Sequence, residues 1–189
     1  MRERVKEIIL ESIQVKEELL KNNVSQILQM SELIIDSLRK SGKLIIFGNG
    51  GSAGDSQHIA AELVGRFRKD RPALAAIALT TNTSIITALA NDFGYEVVFS
   101  RQIEALAAKI DIAFAISTSG EAKNVTLGLK QAKKMGLKTI ALTGGDGGEI
   151  AKIADISLIV PSNITARIQE AHIVIGHIIC ELIEEKILA

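Results

Sequence analysis

Two pairs of side chains at helical spacing carry the acid–base potential of this sequence. His58 and Glu62 are four residues apart, and Gln169 and His177 are eight apart. In helices, each pair projects from one face. Together the four offer two imidazoles, a carboxylate and an amide oxygen. That set can ligate a divalent metal such as zinc. It can equally supply a carboxylate and an imidazole that move protons. The first pair alone also fits a surface ion pair, and Gln169 and His177 also fit satisfied polar residues of a packed helix. The sequence does not say that the two segments meet, or whether they meet within one subunit. His172, the third histidine, reads as structural.

A second chemistry is written in the loops. Ser117-Thr118-Ser119-Gly120 places three consecutive hydroxyls where an apolar run ends and a helix is expected to begin near Glu121. Hydroxyls, unpaired backbone amides and the positive end of a helix converge there on one anion, for which phosphate is the natural choice. Gly48-Asn49-Gly50-Gly51-Ser52-Ala53 fits a relaxed G-x-G-x-x-A pattern. A dinucleotide site also needs an acid at the end of the second strand, and that strand ends Ala78-Leu79-Thr80-Thr81. What remains is a glycine loop whose amides can face a ligand at a helix start. Thr143-Gly144-Gly145-Asp146-Gly147-Gly148 reads as a turn.

The elements that must hold these residues follow from periodicity. Residues 3–40 form two helices, broken at Asn22-Asn23, with apolar stripes through Val5, Ile8, Ile9, Ser12, Ile13, Leu19 and Leu20 and then Val24, Ile27, Leu28, Leu33 and Ile34. Those stripes must be buried on their own domain or across a subunit interface. From Lys43 onward, short apolar runs alternate with helical segments: 43–48, 75–80, 111–117, 138–144 and 156–161. Continuous apolar strands of this kind belong to a parallel sheet covered on both faces. The fold class is therefore α/β, a doubly wound five-stranded parallel sheet, expected as one domain over 1–189. Residues 1–41 form its leading helical pair and 42–189 its core, closed by a helix over 165–187. Ligands of such sheets bind outside the carboxyl ends of the strands, where the loops just described lie.

Composition narrows the function. Lys plus Arg and Asp plus Glu are both 22, so the formal net charge is zero, and there is no basic stripe for a nucleic acid. Cys180 has no disulfide partner and sits in an apolar helical stretch, a small buried hydrophobe of a reducing compartment. The amino terminus lacks an apolar signal core. The longest apolar stretch, Ile173 to Ile183, is broken by His177 and Glu181 and is too short to span a bilayer. A cytoplasmic protein is expected.

The combination Phe47-GNGGSAGDSQHIAAEL-Val64, Gly65-Arg66-Phe67-Arg68, Asn91-Asp92-Phe93-Gly94-Tyr95, Ile116 through Gly120 and Arg167-Ile168-Gln169-Glu170-Ala171-His172 resembles the phosphoheptose isomerase family, within the wider SIS (sugar isomerase) fold. The resemblance covers essentially the whole chain. It implies a homotetramer that interconverts sedoheptulose 7-phosphate and D-glycero-D-manno-heptose 7-phosphate, an aldose–ketose isomerisation of bacterial heptose and lipopolysaccharide synthesis. By position, it implies that Asn49, Gly50, Gly51 and Ser52 line the sugar, that Ser117, Thr118 and Ser119 hold the phosphate, and that Arg66, Asn91 and Asp92 complete the pocket. His58, Glu62, Gln169 and His177 become the metal and acid–base set, with zinc the usual metal and Glu62 and His177 the catalytic pair. Sites in the family form where subunits meet, which gives the leading helices a use.

Two departures bear on the substrate. The family usually reads STSGNS where this chain has Glu121 and Ala122 after Gly120, and some members carry Asp where Ala166 stands. Ala122 removes a hydroxyl from the anion site, and a Glu121 turned toward the phosphate would repel it. Two other readings therefore stand beside the main one: an isomerase of another phosphorylated or modified ketose, and a non-catalytic SIS adaptor that binds a replication initiator.

Overall fold

A computed structural model describes residues 1–188. Helices α1 (Arg2–Asn22) and α2 (Val24–Arg39) lead into an alternation of strands β1 (Leu44–Gly48), β2 (Ala76–Ala78), β3 (Ile112–Ser117), β4 (Lys138–Gly144) and β5 (Ile156–Val160) with helices. These helices are α3 (Gly51–Val64), α4 (Thr83–Phe93), α5 (Val98–Leu106), α6 (Lys123–Lys134), α7 (Gly148–Ile153) and α8 (Thr165–Ile187). The five strands pair in the order β2-β1-β3-β4-β5, all parallel. The strand order reverses direction between β1 and β3, and Gly48 pairs with Ile116 there. The crevice beyond that pair is where an open α/β sheet binds ligands.

Strand alternation divides the core. Leu44, Ile46, Ile112, Phe114 and Ile116 point to the face covered by α2, α3 and α8. Ile45, Phe47, Ala113 and Ala115 point to the face covered by α5, α6 and α7. With a period of two, a five-residue run of apolar side chains serves both layers. The edge strand is shorter than the expected 75–80. After Ala78 only Leu79 N–H still bonds back, to the Ile46 carbonyl, before Thr81 Oγ1 donates to the Ala78 carbonyl and turns the chain away. The helix expected from Glu121 starts two residues later, at Lys123.

Helices α3 and α8 lie side by side and run in the same direction. Gly51 meets Gln169, Ile59 meets Gly176, and His58 meets His177. A methyl on Gly176 would lie 2.7 Å from Ile59 Cδ1, so this glycine sets how closely the helices approach. The leading pair is only half covered. Val15, Leu19, Ile27 and Ile34 are buried, but Val5, Ile9, Leu20 and Leu28 stand 56, 54, 72 and 45% exposed. They form an apolar strip that the chain itself leaves open.

His172 is fully buried where α8 crosses β4, its Nε2 3.1 Å from the Thr143 carbonyl. Burial pushes its pKa down to about 4, against a partial pull upward from that carbonyl. Above pH 6.5 the ring is neutral in both folded and unfolded chains. Below 6.5 only the unfolded chain takes up the proton, so stability falls until about pH 4, where the folded ring titrates too. The loss expected is about 3 kcal/mol over that window. Urea unfolding at fixed protein concentration should show it, and His172→Gln should flatten the pH dependence whatever it does to the absolute stability. An unchanged pH slope in the variant would refute the assignment.

Candidate active site

The two helices meet at three of the four expected donors; Gln169 is not among them. His58 Nε2 lies 3.0 Å from His177 Nε2 and 3.1 Å from Glu62 Oε1. Donor atoms of His58, Glu62 and His177 all fall within 4.8 Å of one another. One proton on His58 Nε2 cannot serve both neighbours. A divalent cation at the focus satisfies all three, because ligand atoms on a tetrahedral ion with bonds of 2.0–2.1 Å sit about 3.3 Å apart. The two imidazoles and the carboxylate suit zinc among the common metals. The trio is open to solvent in the isolated chain, with the His58 side chain 49% exposed and Glu62 23%. The Phe67 ring stacks on His177 at 5.4 Å between centroids and 29° between planes.

Gln169 sits two turns away from His177. Its carboxamide packs over Gly51, where an added methyl would lie 2.3 Å from Nε2, and it lines a cavity of about 130 Å³ with Asn49, Ser52, Ser117, Thr118, Ser119 and Ala122. Eight residues of helix span about 12 Å, so the hydroxyl cavity stands at the start of α8 and the donor trio near its middle. A phosphorylated sugar has this polarity: an anion at one end and a carbonyl at the other.

The cavity is braced from behind. Asn49 and Asn124 exchange reciprocal amide hydrogen bonds of 2.8 and 2.9 Å, and Tyr95 donates to Asn49 Oδ1. Gly120 has φ +68°, and an added Cβ would stand 2.1 Å from the Gly147 carbonyl oxygen. Its own carbonyl accepts the Ile150 N–H. Glu121 turns away from the cavity, and its Oε1 accepts the Glu149 N–H at the start of α7. The carboxylate therefore does not face an anion held by the hydroxyls. Ala122 does line the cavity and gives it an apolar wall where a hydroxyl was expected. The stretch 143–148 finishes β4 at Gly144 and turns into α7. Gly120→Ala should cost about 2 kcal/mol or more, from left-handed strain and the clash together, and should raise KM for a sugar phosphate. A variant with wild-type urea midpoint and KM would show that the loop is not held as described.

Not every expected residue gathers here. Arg66, Asn91 and Asp92 are exposed, and Asn91 spends its amide on Asp92 Oδ1. Gly50, with φ +55°, lines a smaller cavity on the other side of Asn49, with Thr80, Ile86 and Tyr95. Sequence reasoning also missed participants. Asp55 stands one turn before His58 with a buried, unpartnered Oδ2. Burial raises its pKa to about 6 even though His58 pulls it back down. The i, i+3 spacing of Asp55 and His58 was the available signal. Asn124 and Phe67 carried none beyond their neighbourhood. Cys180 is buried and its thiol is pushed up to about 12, by burial first and then by the Glu62 carboxylate, which makes it unreactive.

A cavity of about 200 Å³ opens at the opposite end of the sheet, between Asp36, Lys40, Lys109 and Lys138. Its buried Asp111 is already taken by Lys43 and by the Lys43 and Ala108 amides, a structural arrangement far from the strand carboxyl ends.

Residues 9–144 match the SIS domain family. The chain is 53% identical over 187 residues to a phosphoheptose isomerase of Aquifex aeolicus, covering 99% of this chain and 98% of that one. It is 51% identical over 189 residues to a phosphoheptose isomerase of Sulfurimonas denitrificans, covering 99% and 97%. Among solved structures it is similar to the phosphoheptose isomerase of Neisseria gonorrhoeae, with a TM-score of 0.93, 45% identity and coverage of 97% of this chain and 98% of that one.

Proposed function

The chain belongs to the phosphoheptose isomerase family of SIS-domain proteins, and from that premise we infer that it interconverts sedoheptulose 7-phosphate and D-glycero-D-manno-heptose 7-phosphate. It is a sugar-phosphate isomerase. The observation that carries the reading is the meeting of His58, Glu62 and His177 from two helices beside a hydroxyl-lined cavity. An adaptor has no use for that convergence.

In this reading Ser117, Thr118 and Ser119 bind the phosphate through hydroxyls and backbone amides, and Asn49, Gly51, Ser52 and Gln169 hold the sugar hydroxyls. Glu62 removes a proton from carbon one of the ketose. The electrons form the carbon–carbon double bond of a cis-enediol, and Glu62 returns the proton to carbon two. His177 carries a proton from the oxygen on carbon one to that on carbon two. A zinc ion held by His58, Glu62 and His177 would polarise the carbonyl as a Lewis acid, while Gln169, expected as a fourth ligand, lies in the hydroxyl cavity instead. Glu62 Oε1 faces His58, and Oε2 makes no hydrogen bond among the described residues, so the second oxygen is the one assigned to the proton.

The open apolar strip on α1 and α2 supports assembly into a homotetramer. An exposed acid–base site needs a wall to exclude water, and Arg66, Asn91 and Asp92 are exposed and free to reach a neighbouring subunit's pocket. Residues 1–189 then act as one SIS domain, with the leading helices serving assembly. Among the described residues no helix is long and apolar enough to cross a membrane. We place the enzyme in the cytoplasm, feeding heptose to lipopolysaccharide or a related glycan.

The test is turnover of sedoheptulose 7-phosphate by the purified protein in heavy water, with zinc added or chelated, read by product NMR. The aldose should carry solvent deuterium at carbon two. Deuterium absent at every stage of conversion would replace the enediol by a hydride shift, and no aldose at all would move the substrate to another phosphorylated ketose.

A further inference from the structure

Behind the donor trio lies a buried charge pair that the proposed reaction does not use. The side chains of Arg71 and Glu184 are each 1% exposed, with Arg71 Nε 2.9 Å from Glu184 Oε1. Glu184 stands two turns beyond His177 on α8. It accepts the backbone N–H groups of Phe67, Arg68 and Lys69 at 2.8, 2.8 and 3.1 Å. Burial alone would raise its pKa, but the three amides and Arg71 outweigh it and hold the carboxyl below its ordinary range.

Arg71 spends its other donors at the end of α3. Its guanidinium reaches the carbonyls of Glu62 at 2.7 Å, Leu63 at 2.9 Å and Gly65 at 3.3 Å. These are last-turn carbonyls, which no helical amide can satisfy. The pair therefore ties three things at once: the backbone of Glu62, the α8 turn two beyond His177, and the loop residue Phe67, whose ring lies against the His177 imidazole.

Stability alone is a poor reason to keep such a pair. Its desolvation cost is large, and replacing buried ion pairs by apolar side chains of similar size is often neutral or favourable. What apolar side chains cannot do is fix two helices through directed hydrogen bonds to named carbonyls and amides. We propose that Arg71 and Glu184 are positioning residues, which set the separation of Glu62 from His177 and hold Phe67 against the His177 ring. The proposal rests on the assignment of Glu62 and His177 made above. Neither residue touches the substrate. The hydroxyl loop at Ser117–Ser119 lies at the other end of α8, so substrate affinity should be spared.

The experiment compares the full-length wild type with Arg71→Lys, Glu184→Gln and the double variant Arg71→Met/Glu184→Leu. The readouts are melting temperature, zinc affinity by competition with a chromogenic chelator, and kcat and KM for sedoheptulose 7-phosphate. Outer partners of metal ligands typically change affinity or activity by about 10- to 100-fold, and both single variants should lose kcat and zinc affinity in that range. KM should stay within about twofold, since ground-state binding is untouched. The double variant should melt near the wild type yet remain slow and bind zinc weakly. A double variant that recovers wild-type kcat and zinc affinity with its melting temperature would overturn the proposal, leaving the pair as packing. If the apolar double variant does not fold, Arg71→Lys decides: it keeps the charge but not the fork, and wild-type kcat and zinc affinity in it would equally reject positioning. Should the wild type fail to turn over the sugar, the assigned reaction fails, while the zinc comparison still judges the pair.

Discussion

Glu62→Gln is expected to lower turnover by about 10²- to 10⁴-fold, the usual contribution of a positioned general base, while the protein still folds and still binds a sugar phosphate. The carboxamide has the size and shape of the carboxylate and can still bond His58 Nε2, now 3.1 Å from Glu62 Oε1. It cannot take a proton from carbon. Glu62 is 23% exposed at its side chain, and its carbonyl, not its carboxylate, engages Arg71, so the substitution leaves the α3 terminus intact. Binding can be read by calorimetry with the ketose phosphate, and turnover by NMR. The informative pattern is a large fall in kcat with binding preserved. Turnover within about threefold of the wild type would place the base elsewhere.

The layers were legible in the sequence because burial on both faces leaves an unbroken apolar run, and five such runs appear between helical segments. The even-numbered residues of β1 and β3 fill one layer and the odd-numbered ones the other, with Ala113 and Ala115 taking the second face. Edges were less legible. Strand β2 pairs on one side only, so its ends depend on loop bonds such as Thr81 to Ala78 rather than on a pattern of apolar residues.

The site divided along the same line. Spacing put His58 and Glu62 on one helical face, but their meeting with His177 depends on the register of two helices more than a hundred residues apart. That register is set by close contacts such as Gly176 on Ile59, which no periodicity encodes. Glu121 shows the reverse case. Its charge beside a phosphate loop suggested repulsion, and the direction of its side chain, toward the Glu149 amide, answers the concern. No spacing or motif singles out Arg71 and Glu184, and only the packing shows them buried between the catalytic helices.

His177→Ala should weaken zinc binding and turnover together. Spread over four coordination positions, three of them filled by His58, Glu62 and His177, the roughly 10–16 kcal/mol with which protein sites hold zinc gives about 3 kcal/mol per position, or about 100-fold in affinity. Loss of the imidazole that moves protons between the two oxygens should lower kcat by a further factor of about 10². Stability should change little, by about 1 kcal/mol, through the lost stacking of Phe67 on the ring. The variant leaves a space bounded by Phe67 and His58, whose own ring centroid lies 5.1 Å from that of His177. Free imidazole should enter it and restore part of the rate. Rescue by imidazole at unchanged KM ties the defect to the missing ring. A variant that keeps wild-type zinc affinity and turnover would mean that the meeting of α3 and α8 at His58 and His177 is a packing contact, and that the chemistry lies elsewhere.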